Sequence, residues 1–428
     1  MSKAYPTYKD SGIEWLGQIP THWDLLRNKI FITEQDNVVG QDAYKYTLLS
    51  LTKQGVIQRD IESGKGKFPK EFDNYKIVES GNIIFCLFDV DETPRTVGLS
   101  SIDGMITGAY NVFSIKGINS QFYYYYFLAV DEAKALRPLY SGLRKVVKTE
   151  RFAGLRIPVP PEEEQRQIVA YLDYKSNKIN ERICQREREL QTLSELKQAE
   201  IAAVVTRGLD PNVPMKESGI EWLGKIPAHW NVKRIASVSH EINDSNVTME
   251  YTQPSQFKFG EIVLKSIIGE GEYDENIKKC TLFKKNDILI NGLNLNYDFV
   301  TQRVAKSNYD GIITPAYIVI RVKDGLSADY AMFLFKSIDN KKIFNGWGTG
   351  IRLTLSYKEL KKQCIPIPPK EEQDAIVAYL QSRITFIDNY IAKLKEEINY
   401  LQEYKQRLIS DVVTGKVDVR GVEIPNEE

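Results

Sequence analysis

Side chains able to do covalent or acid–base chemistry are few in this chain, and none stand in a workable grouping. Of the three histidines, His22 and His229 share the context Pro-x-His-Trp, and the third is His240. An imidazole beside an indole suits packing better than proton transfer. The sequence has no G-x-S-x-G turn, no Walker loop and no helix-opening G-x-G-x-x-G to present a nucleophile or cradle a phosphate. Cys86, Cys184, Cys280 and Cys364 are widely spaced without a C-x-x-C pair. Neither a zinc site nor a disulfide framework is signalled, and no metal is expected. The Pro-Pro pairs ending at Pro161 and Pro369 lack the Asn or Asp before them and the aromatic after them that an amino-methyltransferase loop requires. Asp89-Val-Asp91 reads as a solvated loop rather than a cation site. The chemistry to look for is binding, not catalysis.

Two basic segments rich in turn residues suit binding best. Gly142-Leu-Arg144-Lys145-Val-Val-Lys148-Thr-Glu-Arg151 occurs in the first half, and Gly346-Trp-Gly-Thr-Gly350-Ile-Arg352 with Lys358 takes the matching place in the second. Glycine permits close backbone approach, arginine can fork onto a guanine edge and lysine can hold a phosphate. A solvated basic loop would have the same composition. Lys53, Arg59, Lys65 and Lys67 in one half, and Lys258, Lys265 and Arg303 in the other, qualify on charge alone. Trp15, Trp23, Trp222 and Trp230 could stack on bases, although core or interdomain anchoring is the better account. Tyr123 to Tyr126 belong to a presumed helix and should be packed. The formal net charge is zero, which argues against a nucleic-acid partner until it is taken by segment. Residues 25–156 and 232–364 each carry a surplus of roughly three or four positive charges.

What positions these segments is a duplicated frame. Lys9-Asp-Ser-Gly-Ile-Glu-Trp-Leu-Gly-Gln-Ile-Pro-Thr-His-Trp23 returns as Lys216-Glu-Ser-Gly-Ile-Glu-Trp-Leu-Gly-Lys-Ile-Pro-Ala-His-Trp230, identical at about twelve of fifteen positions. Ile157-Pro-Val-Pro-Pro-Glu-Glu-Glu-Gln165 with Ile168-Val-Ala-Tyr-Leu172 returns as Ile365-Pro-Ile-Pro-Pro-Lys-Glu-Glu-Gln373 with Ile376-Val-Ala-Tyr-Leu380. Both blocks recur about 208 residues apart, so the halves are colinear duplicates. Between the blocks the halves have diverged, as expected if one frame carries two different faces.

After each Pro-Pro comes an acidic turn and a long stretch free of Gly and Pro, the signature of a helix start. The second such stretch carries a heptad stripe through Ile376, Leu380, Ile387, Ile391, Leu394, Ile398 and Leu401. The first carries a looser one through Ile168, Leu172, Ile179, Ile183 and Leu190. Two helices of about 40 residues, each with one apolar stripe, pack economically on each other as an antiparallel coiled coil; the competing arrangement lays each over its own domain. The variable segments read as short strands, such as Asn82 to Phe88, Asp287 to Ile290 and Ala316 to Val322, with helices near Gln121 to Leu136 and Ala328 to Ser337. The expected fold is α+β. Two pseudo-symmetric globular domains (1–156 and 207–364) are joined by long helices at 157–206 and 365–414, followed by a tail at 415–428. Under two-fold pseudo-symmetry the C-terminal tail should arrive beside the N-terminal block. No run approaches the ~18 apolar residues of a membrane span, and a cytoplasmic protein with no membrane partner is expected.

The pattern S-G-I-E-W-L-G-x-I-P-x-H-W, a variable domain, I-P-x-P-P-x-E-E-Q, a long helix and then the whole again resembles the specificity subunit of type I restriction-modification enzymes. The resemblance covers nearly the whole chain. It implies two target-recognition domains, each reading half of a split site in double-stranded DNA, with the helices acting as spacer and docking surface. It further implies two methyltransferase subunits using S-adenosylmethionine and motor-nuclease restriction subunits using ATP and Mg, with no cofactor or catalytic residue on this chain. A protein-binding coiled-coil adaptor is the alternative from another class.

Overall fold

The computed structural model describes residues 4–59, 72–142, 145–258, 260–265, 273–297 and 302–425. The chain divides into two compact units, Met1–Arg186 with Glu396–Glu428, and Glu187–Lys395.

In the first unit, β1 (Ile32–Glu34), β2 (Ile83–Phe85), β3 (Val97–Leu99) and β4 (Asn111–Ile115) form an antiparallel sheet in the order β1-β4-β2-β3. The run Ile-Ile-Phe of β2 is apolar on both faces because both are covered, and all three residues are buried. Helix α1 (Ser120–Glu132) lies over the sheet. Asn119 caps it by accepting from the N–H groups of Gln121 and Phe122 at 2.9 and 3.0 Å. Phe85 gathers Phe113, Phe127 and Phe152 around it with ring centroids 4.7–5.9 Å apart, a cluster of edge-to-face contacts that anchors sheet to helix. Tyr123, Tyr125 and Tyr126 are buried here, as their helical placement predicts. The hairpin Leu49–Thr52/Gly55–Gln58 meets the pair Lys76–Val78/Gly104–Ile106 through a parallel bridge between Leu48 and Met105. Helix α2 (Glu162–Arg207) begins in this unit.

The second unit repeats the plan. β5 (Ser239–Glu241), β6 (Ile288–Ile290), β7 (Val304–Lys306) and β8 (Ile318–Val322) are ordered β5-β8-β6-β7, and α3 (Ala328–Asn340) buries Tyr330, Leu334, Phe335 and Ile338 in the same core as Ile288, Ile290, Ile318 and Ile320. The accompanying sheet joins Pro254–Lys258 in parallel to Gly311–Ile313, the counterpart of the Leu48–Met105 bridge. The last helix, α4, spans Lys370–Val413.

Both long helices start later than their sequence motifs. Ile157 and Ile365 lie in strands: Arg156–Val159 pairs with Asp24–Arg27, and Cys364–Ile367 with Asn231–Arg234. The reason is the prolines, which withhold N–H donors and fix φ through Pro161 and Pro369, so helix propagates only beyond them. The compact units also cut across the helices, each taking a part of both.

Within each unit the two helices meet antiparallel. In the first, Asn180 accepts from Lys405 at 2.8 Å, while Arg182 and Arg186 both reach Glu397, so partner numbers fall as residue numbers rise. In the second, Glu189 accepts from Tyr390, Lys197 pairs with Asp388, and Glu200 accepts from Arg383 and Tyr379. The apolar stripes lie inward. Ile168, Leu172 and Ile179 share a core with Leu408, Ile409, Val412 and Val413, with Ile183 and Leu401 packed against it; Ile201 and Val205 share one with Ile376 and Leu380. Ile387, Leu394 and Ile398 are buried as well, while Leu190 and Ile391 are half-buried.

The termini meet in the first unit, as pseudo-symmetry requires. Tyr8 donates to the carbonyl of Gly415 at 3.2 Å, and the Arg420 guanidinium lies 4.9 Å from the Tyr5 ring centroid. Gly415 has a φ of +76° and lies so close to Pro20 that a Cβ would fall 2.3 Å from it, so only glycine ends the helix there. Among the described residues no helix is long and apolar enough to cross a membrane, and no three His, Cys, Asp or Glu side chains gather as a metal site.

Candidate nucleic-acid interface

The repeated blocks build a latch in each unit. Glu164, in the first turn of α2, accepts from Trp23 Nε1 at 2.9 Å and Tyr5 Oη at 2.5 Å, and its other oxygen lies 2.8 Å from His22 Nε2. Burial, reinforced by the Glu164 carboxylate, drives the Tyr5 hydroxyl far above the usual phenol range, so it stays a proton donor. Glu372 repeats the arrangement with Trp230 at 3.0 Å and His229 at 2.8 Å. Lys9 and Lys216 donate to the carbonyls of Trp23 and Trp230. Gln165 bridges the carbonyl of Pro160 and the N–H of Asn119, the cap of α1; Gln373 does the same for Pro368 and Ser327, which precedes α3. Trp23 and Trp230 are fully buried and cannot stack on bases. The repeated His, Trp, Glu and Gln are thus structural, fixing each domain to the start of a long helix.

What each frame holds outward is a hairpin. In the first unit Tyr140–Ser141 pairs with Val146–Val147, closing on a turn from Gly142 to Lys145 in which the Lys145 N–H donates to the Gly142 carbonyl at 3.1 Å. In the second, Thr349 and Thr354 exchange both backbone hydrogen bonds, and the Leu353 N–H donates to Gly350 at 3.0 Å. The described ends of the two turns match: φ is +77° at Gly142 and +80° at Gly350, and +47° at Lys145 and +40° at Leu353. Each is stitched at the same place to the loop after the central strand, Val147 donating to Leu87 and Leu355 to Gly292. The left-handed conformation at the first turn position is why glycine stands in both.

The remaining sequence candidates are distributed unequally. Lys53 is exposed at the tip of the Leu49–Gln58 hairpin, and Arg59 follows it, half-buried. Lys148 and Arg151 are exposed beside the first turn, with Arg151 also donating to the Leu139 carbonyl. Lys145 is held by Glu92 and Asp91 at 3.1 and 3.4 Å, and the hydrogen bond to Glu92 raises its ammonium pKa. Arg352 and Lys358 are exposed in the second finger and the short helix after it. Lys258 is exposed on a separate hairpin, Pro254–Leu264, and Lys265 is exposed just after it. Arg144, Lys65 and Lys67 lie outside the described residues.

Arg303 does not belong with the outward-facing set. It is 5% exposed, and its guanidinium donates to the carbonyls of Asn291, Leu293 and Asn294 at 3.1, 2.6 and 3.2 Å. A fork already filled by three carbonyls braces a turn rather than offering a charge to a partner. The braced turn is the one to which the second finger is stitched, through Leu295 N–H to Leu353 carbonyl at 2.9 Å.

Each unit therefore pairs a shared latch with a glycine-turned hairpin that carries or adjoins exposed basic residues on a diverged α+β domain, which is the layout of a duplicated binding module. The family model for the type I restriction modification DNA specificity domain matches this chain twice, over residues 27–190 and 227–400. The chain belongs to that family, the specificity subunits of type I restriction-modification systems, with one recognition domain in each unit. It is 21% identical over 435 residues to the putative type I restriction enzyme MjaX specificity subunit of Methanocaldococcus jannaschii, covering 95% of this chain and 96% of that one. To the type I restriction enzyme MjaVIII specificity subunit of the same organism it is 26% identical over 305 residues, 63% of this chain and 64% of that one. Among solved structures, a chain described under complex assembly and conformational transition of the type I R-M system superposes with a TM-score of 0.63 at 16% identity. That likeness, over 92% of this chain and 98% of the other, is one of fold.

Proposed function

We propose that the two recognition domains read the two halves of an asymmetric, interrupted site in duplex DNA, and that the paired helices set the gap between them. One observation carries the asymmetry: the His, Trp, Glu and Gln of the latch repeat in both units, while the domains they hold have diverged in sequence. Identical readers would select a palindrome; unlike readers on one frame select two different half-sites. Two modest readers linked by a stiff spacer also gain from effective concentration, since the second half-site is engaged intramolecularly only when its distance and rotation match.

In this reading Lys53, Arg59, Arg144, Lys145, Lys148, Arg151, Lys258, Lys265, Arg352 and Lys358 supply phosphate and base-edge contacts, and Gly350 allows the backbone close. Two methyltransferase subunits dock along the helices and carry S-adenosylmethionine, and the restriction subunits joining them carry ATP and Mg. The chain itself does no bond chemistry and works in the cytoplasm. The test is titration of duplex DNA with the chain in complex with its methyltransferase. Binding should weaken steeply with salt, and Arg352→Ala should weaken it further while leaving subunit assembly intact. A complex with no measurable affinity for any duplex would instead mark the chain as a protein adaptor.

A further inference from the structure

Ile351 is 99% exposed, a fully hydrated aliphatic side chain at the summit of the second finger, with Arg352 exposed beside it. A lone surface isoleucine is ordinary; this one stands on a braced mount. The turn beneath is closed by the Gly350–Leu353 and Thr349–Thr354 hydrogen bonds, and Asn296 donates to the Ile351 carbonyl at 3.4 Å. Its base is tied to the 291–295 loop by Leu295 and Leu355 N–H, and that loop is clamped by the buried Arg303. Leu353 packs into the core of the unit and pays a positive φ to do so, which leaves Ile351 and Arg352 as the two side chains of the turn directed away from it.

In the first unit Gly142 has the same torsion, the Lys145 N–H closes on the Gly142 carbonyl and Val147 is stitched to Leu87, and in the sequence alone Leu143 and Arg144, which lie outside the described residues, align with Ile351 and Arg352. So the sequence Gly, aliphatic, Arg persists in two domains whose sequences have largely diverged. A contact that selected a base would have diverged with the target. A pair retained by both does a job common to any sequence.

We infer that the Gly350-Ile351-Arg352 finger is a duplex-deforming anchor: Arg352 clasps the phosphate backbone and Ile351 enters a groove as an apolar wedge that opens a base step, without choosing the bases. Exposed aliphatic side chains on stiff mounts part base steps in this way, and the neighbouring arginine and Lys358 match the charge of the backbone the wedge must approach. The inference rests on the proposed DNA-reading function. It adds to it a division of labour, in which the fingers grip and distort while the diverged surfaces discriminate.

The test uses the complete chain assembled with its methyltransferase subunits. Its DNA is the methylated site of the wild-type complex, carrying 2-aminopurine in turn at each step of both half-sites. Wild type should raise the fluorescence at one step or a neighbouring pair in each half-site. Ile351→Ala should abolish the rise in one half-site only, weaken binding on the order of ten-fold, and leave the methylated sequence unchanged in cells; Ile351→Leu should restore both fluorescence and affinity. Arg352→Ala should lower the salt slope of binding by about one. A changed or relaxed base preference in the Ile351→Ala complex would make the finger a base selector and overturn the proposal. Unchanged affinity and fluorescence would show that the tip does not enter the duplex and would overturn it too. Failure of the wild-type complex to bind DNA would fell the DNA-reading function itself, an outcome distinct from both.

Discussion

Glu164 receives three donors on one carboxylate, and two of them, the Trp23 indole and the Tyr5 hydroxyl, are buried. Glu164→Ala leaves both without a partner, and the cost expected is about 2–4 kcal/mol. Glu372→Ala removes an acceptor from Trp230 at a carboxylate that is 25% exposed rather than 4%, so water can replace it and the loss should be smaller. Chemical denaturation of the two variants checks the order; equal losses would contradict it. Arg303 and Arg352 make the complementary contrast. Arg303→Met should lower the stability of the second unit without altering the salt dependence of DNA binding by the folded protein, whereas Arg352→Ala should do the reverse. The two arginines look alike in the sequence, because charge gives the type of a side chain and not its surroundings. Only the chain reversal at 291–294 shows that one guanidinium is consumed by carbonyls. The histidines and tryptophans were legible as structural from their repetition, but their common acceptor, a glutamate about 142 residues further along, is a tertiary fact.

The elements were legible where a period or a proline speaks. The heptad stripe of α4 foretells Ile376, Leu380, Ile387 and Leu394 turned inward, and all four are buried. The helix starts after each Pro-Pro were legible, but the bounds at 157 and 365 took in the strand ahead of them, because its antiparallel partner, at residues 24–27 in the first unit, lies far away in sequence. The glycine-flanked basic segments stood out by composition, though nothing in the sequence marked them as hairpins. At this scale the spacer can be tested. Inserting four residues between Leu193 and Leu196 lengthens α2 by about 6 Å, close to two base-pair steps. The gap in the recognised site should lengthen while both half-sites stay the same. Altered half-sites with an unchanged gap would detach the helices from spacing.

The duplication orders the whole molecule. It was legible at once, because twelve of fifteen identities at a constant offset do not arise by chance, and the approach of the C-terminal tail to Tyr5 and Tyr8 follows from it. What it does not disclose is which bases are read, since that is written in the diverged surfaces. Two unlike domains on one frame make a definite claim about the target, and mapping the methylated bases in the genome of cells expressing this chain with its methyltransferase tests it most directly. A single interrupted motif with two different half-sites and one fixed gap is the expected result. A palindromic motif, or an uninterrupted one, would contradict the account.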